Sequence, residues 1–334
     1  MNRRISRLTS VFLVVIITTV LSACQMETVV TSNWDHSHSG LFDAAISSDG
    51  QYAVVSSFSD GASFWNLDTN SRLYEWRHDE TLAGQIAHIA FATDNSHVIT
   101  ANERTFVIWE TSSGRSIGYW SVEDDINCVA LSDQAKHVLL GLKDGRAIHI
   151  DRQSRRRLDV VAHRNERIRS VNISPDGKVA VTGGDDSRVM VWNTADGSEI
   201  HALQHAARIT TTKLSRSSNR LFSADERGGA YIWDLESGQK LATLPLGRGQ
   251  HVITAARFSR DGKHLLLGFP GRSVRLWNGA TGDLVKSWRT PNRKNGWVPQ
   301  GSTVYAVAFN AKETSVLAES SNGLGRSWQL HQTN

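Results

Sequence analysis

Cysteine, proline and methionine are scarce in this chain, and the scarcity limits what the protein can be. Only two cysteines occur among 334 residues, so the fold cannot rest on a framework of disulfides. No Cys/His set has zinc-ligand spacing, and there is no nucleophile elbow, phosphate-binding loop or dinucleotide fingerprint. The five prolines give no sign of a long disordered tract. These absences predict a globular protein that is not an enzyme and that carries no metal or cofactor.

An excess of one charge is also lacking. The formal net charge is only +4, and Arg3, Arg4 and Arg7 contribute to it at the very start of the chain, with no acidic residue beside them. The rest of the chain is nearly neutral, whereas a protein that binds nucleic-acid phosphates needs a strong basic surface. We therefore expect no nucleic-acid partner.

A long hydrophobic run is missing as well, although a short one follows the three arginines. Residues 11–20 are apolar except for Thr18 and Thr19, about half of the ~20 residues that a membrane-spanning helix requires. A charged start, a short apolar segment and small residues at its end are typical of a signal peptide. The sequence therefore predicts a signal peptide over residues 1–23 rather than a transmembrane helix.

The four residues Leu21-Ser22-Ala23-Cys24 resemble the lipobox of bacterial lipoproteins. The resemblance implies cleavage before Cys24, acylation of that cysteine, and a lipid anchor followed by a short tether over residues 24–27. Gln25 is not the aspartate that this family associates with inner-membrane retention, which implies the outer membrane, facing the periplasm. Cys128 then has no partner in the chain, and we expect it to be a buried apolar residue.

Tryptophan is plentiful, and its spacing is regular. One slot recurs at steps of 44, 41, 42, 41, 44 and 51 residues, and each slot is followed by an acidic or amide residue. The seven slots are Trp65, Trp109, Ile150, Trp192, Trp233, Trp277 and Trp328. A period of about 40–45 residues with four strands per unit is typical of WD-repeat propellers, and the chain after residue 27 resembles that family. The resemblance implies an all-β, seven-bladed propeller over residues 28–334, in the form of a monomeric ring.

The strand pattern within the repeats indicates how the ring closes. Tight turns such as Asp49-Gly50 and Asp176-Gly177 predict hairpins, because glycine accepts positive φ. A bulky residue eleven positions after the slot, such as Trp76 or Val161, is expected to be packed on the fourth strand.

The last unit has no such strand of its own, because only six residues follow Trp328. At the other end of the chain, residues 28–34 belong to no unit, and Trp34 with His36 repeats the spacing of Trp76 with His78. We therefore expect residues 28–34 to complete the seventh blade.

The recurring histidines, such as His36 and His78, suggest catalysis or metal binding, but their regular spacing favours a structural role. In the resembled family a histidine, a serine or threonine, an aspartate and the slot tryptophan form a buried hydrogen-bonded network. Two sets fit that pattern here: His163, Thr182, Asp186 and Trp192; and His36, Ser56, Asp60 and Trp65. We expect both sets to fix blade geometry rather than to bind a metal or catalyse a reaction.

The longest step contains an insertion. About nine extra residues lie within residues 289–301, between the last two slots. Insertions in repeat proteins map to loops on one face, often the binding face. Trp297, with Arg293 and Lys294 nearby, has the aromatic and cationic composition of interface hot spots. These three residues are the candidate partner-binding residues, although the loop could equally fold back on the ring.

Two functions remain open at this point. The first is a non-catalytic, lipid-anchored scaffold of the cell envelope that binds one or more other envelope proteins. The alternative is a propeller that binds a small ligand or a glycan, or acts as an enzyme, through its central channel. The residues expected to line that channel are Asp43, His88, Cys128, Ser170, Thr211, Ala255 and Ala306, of which Asp43 and His88 are the first to test. A role in barrel-protein assembly rests only on analogy with other propeller lipoproteins.

Overall fold

The structure is a computed structural model that describes residues 28–58, 61–78, 85–217, 219–247, 252–293 and 302–330. Its 28 strands form seven four-stranded antiparallel sheets, arranged as the blades of a β-propeller. The only helical segments among these residues are two 3-10 turns, Asp133–Ala135 and Pro270–Arg272. The prediction of an all-β fold with seven blades is confirmed. Among the same residues, no helix is long and apolar enough to cross a membrane.

The first four blades each consist of four consecutive strands. Blade 1 contains β2 (Leu41–Ile46), β3 (Tyr52–Ser57), β4 (Gly61–Asn66) and β5 (Ser71–Trp76). Blade 2 contains β6 (His88–Phe91), β7 (His97–Ala101), β8 (Thr105–Glu110) and β9 (Ser116–Ser121). Blade 3 contains β10 (Ile126–Leu131), β11 (His137–Leu142), β12 (Arg146–Asp151) and β13 (Arg156–Val161). Blade 4 contains β14 (Ile168–Ile173), β15 (Val179–Gly184), β16 (Arg188–Asn193) and β17 (Glu199–Gln204).

The last three blades follow the same order until the ring closes. Blade 5 contains β18 (Ile209–Leu214), β19 (Arg220–Asp225), β20 (Ala230–Asp234) and β21 (Lys240–Thr243). Blade 6 contains β22 (Ala255–Phe258), β23 (His264–Gly268), β24 (Ser273–Asn278) and β25 (Leu284–Arg289). Blade 7 contains β26 (Val304–Phe309), β27 (Ser315–Ser320) and β28 (Leu324–Gln329), and its outer strand is β1 (Val30–Asp35).

The two ends of the described chain meet in this seventh blade. β1 pairs antiparallel with β28, with Val30 opposite Trp328 and Asp35 opposite Leu324. Trp34 is buried on β1, and its Nε1 donates to the carbonyl of Leu67 in blade 1 at 2.9 Å. The N-terminal strand therefore completes one blade and binds the next, as the spacing of Trp34 and His36 predicts.

The hydrophobic core lies between the blades rather than within one layer. Each cluster of buried residues joins two neighbouring sheets; Phe64 and Trp76 of blade 1, for example, pack with Ile89 and Trp109 of blade 2. The second strand of each blade is covered on both sides, so a strand such as β11 is almost completely buried. On an outermost strand such as β13, more exposed residues alternate with less exposed ones, because successive side chains point to opposite faces of the sheet and one face is less covered at the rim of the ring.

A β-bulge accompanies the tryptophan slot. The register of strands 3 and 4 shifts by one residue at Trp65, Trp109, Trp192, Trp233 and Trp277, and a similar shift occurs opposite Trp328. Blade 3, which carries Ile150, has a continuous register there. As a result, Val160 takes the inward position opposite Ala147, and Val161 is 64% exposed. The expectation that Val161 is packed like Trp76 is therefore wrong, because a strand without the bulge contains one residue less.

The ring has two faces, which are named here by their turns. The lower face carries the turns between the first and second and between the third and fourth strands, such as residues 47–51 and 67–70. The upper face carries the turns between the second and third strands and the connections between blades, such as residues 36–40. The N-terminal chain enters at the lower face, since the carbonyl of Val29 accepts from the N–H of Gln329 at 2.9 Å. The insertion at 289–301 connects two blades and so begins on the upper face.

We expect Trp34→Ala to lower the free energy of unfolding by about 3 to 5 kcal/mol, because it empties a buried site and removes the bond to blade 1. Val30→Ala on the same strand is the matched control, since Val30 is 40% exposed; it should change stability by about 0.5 kcal/mol or less. Urea unfolding followed by tryptophan fluorescence measures both. Equal, small effects of the two substitutions would contradict the closure described above.

Candidate functional site: the central channel and the upper face

The central channel is lined by the first strand of every blade. Its upper part is a cavity of about 330 Å³ that the seven predicted residues surround: Asp43, His88, Cys128, Ser170, Thr211, Ala255 and Ala306. Most of the polar side chains in this ring reach sideways to the neighbouring blade.

Asp43 shows the pattern most clearly. Its Oδ2 accepts the backbone N–H of Ile89 in blade 2 at 2.8 Å, and its Oδ1 accepts the N–H of Ala44 at 2.8 Å. Burial raises the pKa of this carboxyl group to about 7, although the two backbone bonds act in the opposite direction. Asp43 thus ties blade 1 to blade 2.

Other residues at or beside this level make equivalent bonds around the ring. Ser170 Oγ lies 2.9 Å from Thr212 Oγ1 of blade 5, Thr211 Oγ1 donates to the Ile253 carbonyl at 2.6 Å, and Thr254 Oγ1 donates to the Val304 carbonyl at 2.6 Å. Together with Asp43, these residues form a polar belt that links neighbouring blades near the channel axis.

His88 and Cys128 belong to the same belt. His88 hydrogen-bonds the backbone of Ile126 in blade 3, and burial lowers its pKa to about 4. The Sγ of Cys128 lies 3.8 Å from the carbonyl of Ile168 in blade 4, and burial raises the pKa of its thiol. A thiol held protonated is a poor nucleophile. Asp43 and His88 therefore have bonding roles in different blade pairs rather than forming one acid–base pair.

The predicted network of blade 4 is assembled in large part. His163 Nε2 lies 2.8 Å from Thr182 Oγ1, and His163 Nδ1 lies 2.8 Å from Asp186 Oδ1. Trp192 is fully buried, but its Nε1 has no hydrogen-bond partner among the described residues. The hydrogen-bonded chain in this blade therefore runs from Thr182 through His163 to Asp186 and does not include the tryptophan.

Blade 5 contains the complete network, which sequence reasoning did not assign. His205 Nε2 lies 2.7 Å from Ser223 Oγ, and its Nδ1 lies 3.1 Å from Asp225 Oδ2. Trp233 Nε1 donates to the same Ser223 Oγ at 2.7 Å. His205 follows Leu203 at the same spacing as His36 follows Trp34, and a serine two residues before an aspartate on the second strand was the additional signal.

The contacts of the predicted set in blade 1 are different. Ser56 Oγ accepts the N–H of Asp43 at 3.1 Å, and Trp65 Nε1 donates to Ser63 Oγ at 2.8 Å. His36 Nδ1 lies 3.2 Å from Glu319 of blade 7, and the His36 ring packs on Trp65 with centroids 4.6 Å apart. Asp60 lies outside the described residues. Among the described residues, the contacts of His36 are therefore with Trp65 of blade 1 and Glu319 of blade 7, rather than with Ser56.

The base of the insertion is bound to the closing strand. The guanidinium of Arg293 donates to both carboxylate oxygens of Asp35 at 2.6 and 3.1 Å, and to the carbonyl of Ser37 at 2.8 Å. Its side chain is only 15% exposed. Arg293 thus fixes the start of the loop to the junction of blades 7 and 1, while Lys294 and Trp297 lie outside the described residues.

An aromatic pair, of which one ring is exposed, lies next to this junction. The ring centroids of Phe42 and Phe58 are 4.0 Å apart, and Phe58 is 55% exposed. A Cβ placed on Gly40 would lie 3.1 Å from the Phe58 ring and 3.5 Å from the carbonyl of Ser321, so the pair borders the segment that Arg293 holds. Sequence reasoning missed Phe58, whose signal was an aromatic residue directly after a strand.

The lower part of the channel is a second, larger cavity of about 450 Å³. Lys213 and Arg257 line both cavities, so they lie at the level where the upper and lower parts meet. Sequence reasoning missed both residues because it followed only the upper ring of positions. Within the described parts of the chain, no group of three or more His, Cys, Asp or Glu residues could hold a metal ion.

Comparison with known proteins agrees with this geometry. Residues 155–193, which contain the His163 network and the Trp192 slot, match the family described as WD domain, G-beta repeat. The small ribosomal subunit protein RACK1 of Drosophila melanogaster is 29% identical over 121 residues, 34% of this chain and 37% of that protein. WD repeat and FYVE domain-containing protein 2 of Caenorhabditis briggsae is 27% identical over 160 residues, 46% of this chain and 38% of that protein. The chain thus covers less than two fifths of the length of these two relatives.

We expect Ser223→Ala to lower the free energy of unfolding by about 1 to 3 kcal/mol, because it leaves the buried nitrogens of both His205 and Trp233 without their acceptor. Ser237→Ala, in an exposed turn, is the control and should have little effect. Thermal unfolding of the two variants measures the difference, and an unchanged midpoint for Ser223→Ala would contradict a structural role for the network.

Acid should destabilise the ring through its buried histidines. Burial lowers the pKa of His78, His88 and His149 to about 4, whereas an unfolded histidine has a pKa of about 6.5. Below pH 6.5 the unfolded chain therefore binds protons that the folded chain does not, and stability falls as the pH drops from 6.5 towards 4. Urea titrations across this range should show the decline, and His149→Leu should reduce its slope. An unchanged slope in that variant would contradict the assignment.

Proposed function

We propose that this WD-repeat propeller is a non-catalytic lipoprotein of the cell envelope that acts as a protein–protein interaction scaffold. WD-repeat propellers generally bind other proteins, and the fold itself prescribes no reaction. The observation that carries the proposal is the polar belt of the upper channel. Its side chains bind neighbouring blades instead of converging on one point, which leaves the outer faces of the ring as the surfaces available for recognition.

The proposed anchor is the acylated Cys24, which lies outside the described residues together with the signal peptide and the tether. The first described residues of the chain enter at the lower face, four residues after Cys24. In the proposed arrangement the lower face is turned towards the outer membrane from its periplasmic side. The upper face then points away from the lipid, towards other envelope proteins.

The proposed binding surface is the upper face at the junction of blades 7 and 1. Arg293 fixes the base of the insertion there, and Phe58 presents an exposed aromatic ring beside it. Aromatic residues and arginines are enriched where interfaces are energetically strongest. Trp297 and Lys294, in the same insertion, complete the proposed surface.

The anchor is tested by cell fractionation. Cys24→Ala should move the protein from the membrane fraction to the soluble fraction, because each buried CH₂ of an acyl chain contributes ~0.8 kcal/mol to membrane binding. Cys128→Ala is the matched control and should leave the protein in the membrane, since Cys128 lies inside the ring. A Cys24→Ala protein that stays on the membrane would contradict the anchor without affecting the propeller.

The binding surface is tested by cross-linking and affinity purification of the acylated protein from membranes. Trp297→Ala and Phe58→Ala should each lose the partner, because each removes an aromatic anchor from the surface. Tyr119→Ala is the matched control: Tyr119 is 56% exposed, close to the 55% of Phe58, but lies on the outer strand of blade 2. Partners that survive both upper-face substitutions would contradict this surface.

A further inference from the structure

A second row of residues lies two positions further along each first strand than the polar belt. Its members are Ala45, Ala90, Ala130, Asn172, Lys213, Arg257 and Ala308. Four of the seven are alanines, whereas blades 5 and 6 carry a lysine and an arginine side by side. Of this row, Asn172, Lys213 and Arg257 line the lower cavity.

Arg257 reaches across this space. One of its terminal nitrogens donates to the carbonyl of Ile46 in blade 1 at 3.0 Å, so the side chain passes blade 7 on the inside of the ring. Its Nε is buried and has no hydrogen-bond partner in the part of the chain that the structure describes. The guanidinium is therefore held at one end and left with an unused donor inside the channel.

Lys213 lies on the neighbouring blade with still fewer contacts. Its ammonium group forms no hydrogen bond or ion pair with any described residue. Enclosure by protein, together with the positive charge of Arg257, lowers its pKa to about 7. Lys213 is partly buried and lines both cavities, so its charge has little protein to interact with favourably and contributes little to the stability of the ring.

The nearby carboxylates make hydrogen bonds to other groups, and the charge of Asp49 also acts on Arg257, where it opposes the lowering of the pKa by burial. Asp49 Oδ1 accepts from Ser47 Oγ at 2.5 Å and from the N–H of Gln51 at 3.1 Å. Glu313 accepts the N–H of Arg260 at 2.5 Å. Among the residues that line the lower cavity, four are cationic (Lys213, Arg216, Arg257 and Arg260) and only these two are acidic. The residues that line the cavity therefore carry an excess of positive charge, and Lys213 and Arg257 lie at the end where it meets the upper cavity.

A purely structural role accounts for only part of this arrangement. The bond from Arg257 to Ile46 could brace blade 6 against blade 1, but it uses one donor of the guanidinium and does not involve Lys213. Two adjacent cations with free donors, facing a cavity of about 450 Å³, have the chemistry of an oxyanion site.

We infer that the lower end of the channel binds an oxyanion of the phosphate type, held between Lys213 Nζ and the guanidinium of Arg257. The oxyanion belongs either to a free small molecule or to a lipid headgroup presented at the lower face. The inference rests on the geometry of the ring and does not depend on the proposed anchor or on the proposed partner surface.

The test uses sulfate, a tetrahedral oxyanion whose charge is constant near neutral pH, in isothermal titration calorimetry with the propeller at constant ionic strength. Lys213→Met keeps the apolar stem and removes the charge, and we expect it to weaken sulfate binding more than tenfold. Lys263→Met is the matched control, since Lys263 lies on the lower face but is 78% exposed and paired with Asp261; it should bind sulfate as the wild type does.

Melting temperatures distinguish the loss of the binding site from the loss of the fold. Without an oxyanion, Lys213→Met should melt at the same temperature as the wild type or higher, because it removes an unpaired enclosed charge. Sulfate stabilises most proteins by exclusion from their surface, so the informative quantity is the extra stabilisation of the wild type over Lys213→Met. Equal sulfate binding by the two proteins, or a lower melting temperature for Lys213→Met without sulfate, would overturn the inference.

Binding should also depend on pH. Bound sulfate favours the charged form of Lys213, so above pH 7 binding requires proton uptake and affinity should fall as the pH rises to 9. The other charged groups around the site are Asp49, Arg216, Arg257, Arg260 and Glu313, with Asp133 paired to Arg216 at the rim. Lys213→Met should lose this dependence, and a wild-type affinity that does not change with pH would contradict the role of Lys213.

Two further titrations distinguish the sources of the oxyanion. Inorganic phosphate tests a free small molecule, and vesicles of phosphatidylglycerol compared with phosphatidylcholine test a headgroup. Binding in either series that Lys213→Met abolishes supports the site and identifies its source. Failure of sulfate, phosphate and vesicles alike would overturn it.

Discussion

The pairing of β1 with β28 is the constraint on which the rest of the ring depends. Each of the other six blades is formed by one continuous segment, whereas blade 7 joins strands from both ends of the described chain and so ties the first and last sheets of the row into a closed circle. Closure covers the apolar sheet faces that a row would expose at its two ends, and β1 pairs with the otherwise open edge of β28. It also brings three features to one place, because the entry of the chain, the bond from Trp34 to Leu67 and the salt bridge between Arg293 and Asp35 all involve β1.

Within the ring, polar side chains have different roles at different positions along the channel and away from it. Near the upper end of the channel they bind neighbouring blades through backbone groups, as Asp43 does with Ile89. Further out, histidine networks such as His205 with Ser223 fix strands within one blade. At the lower end, among the described residues, Lys213 and Arg257 keep donors without a protein partner. A propeller that binds at both ends can therefore use different chemistry on each, with aromatic groups above and positive charge below.

The sequence was sufficient to predict the architecture because large residues recur at the same position of each repeat. Six tryptophans and Ile150, at steps of 41 to 51 residues, identify seven third strands, and the short tail after Trp328 predicts the closure. It was insufficient at Val161, since a bulge adds a residue to one strand without any change in repeat length. The channel was harder still. The upper column could be read, but whether Asp43 turns to a ligand or to the backbone of the next blade depends on distances between blades that no local pattern contains. Lys213 and Arg257 look like ordinary strand residues until seven equivalent positions are superposed.

The direction in which the chain enters the ring has a mechanical consequence. β1 runs from the lower face to the upper face and is paired along its length with β28, from Val30 to Asp35. A force that pulls the N-terminal chain along the direction of this strand loads the inter-strand hydrogen bonds in shear, so they must break together. The same force applied across the strand would open them one after another. The closing strand pair is therefore strongest against traction along β1, from the side on which the chain begins.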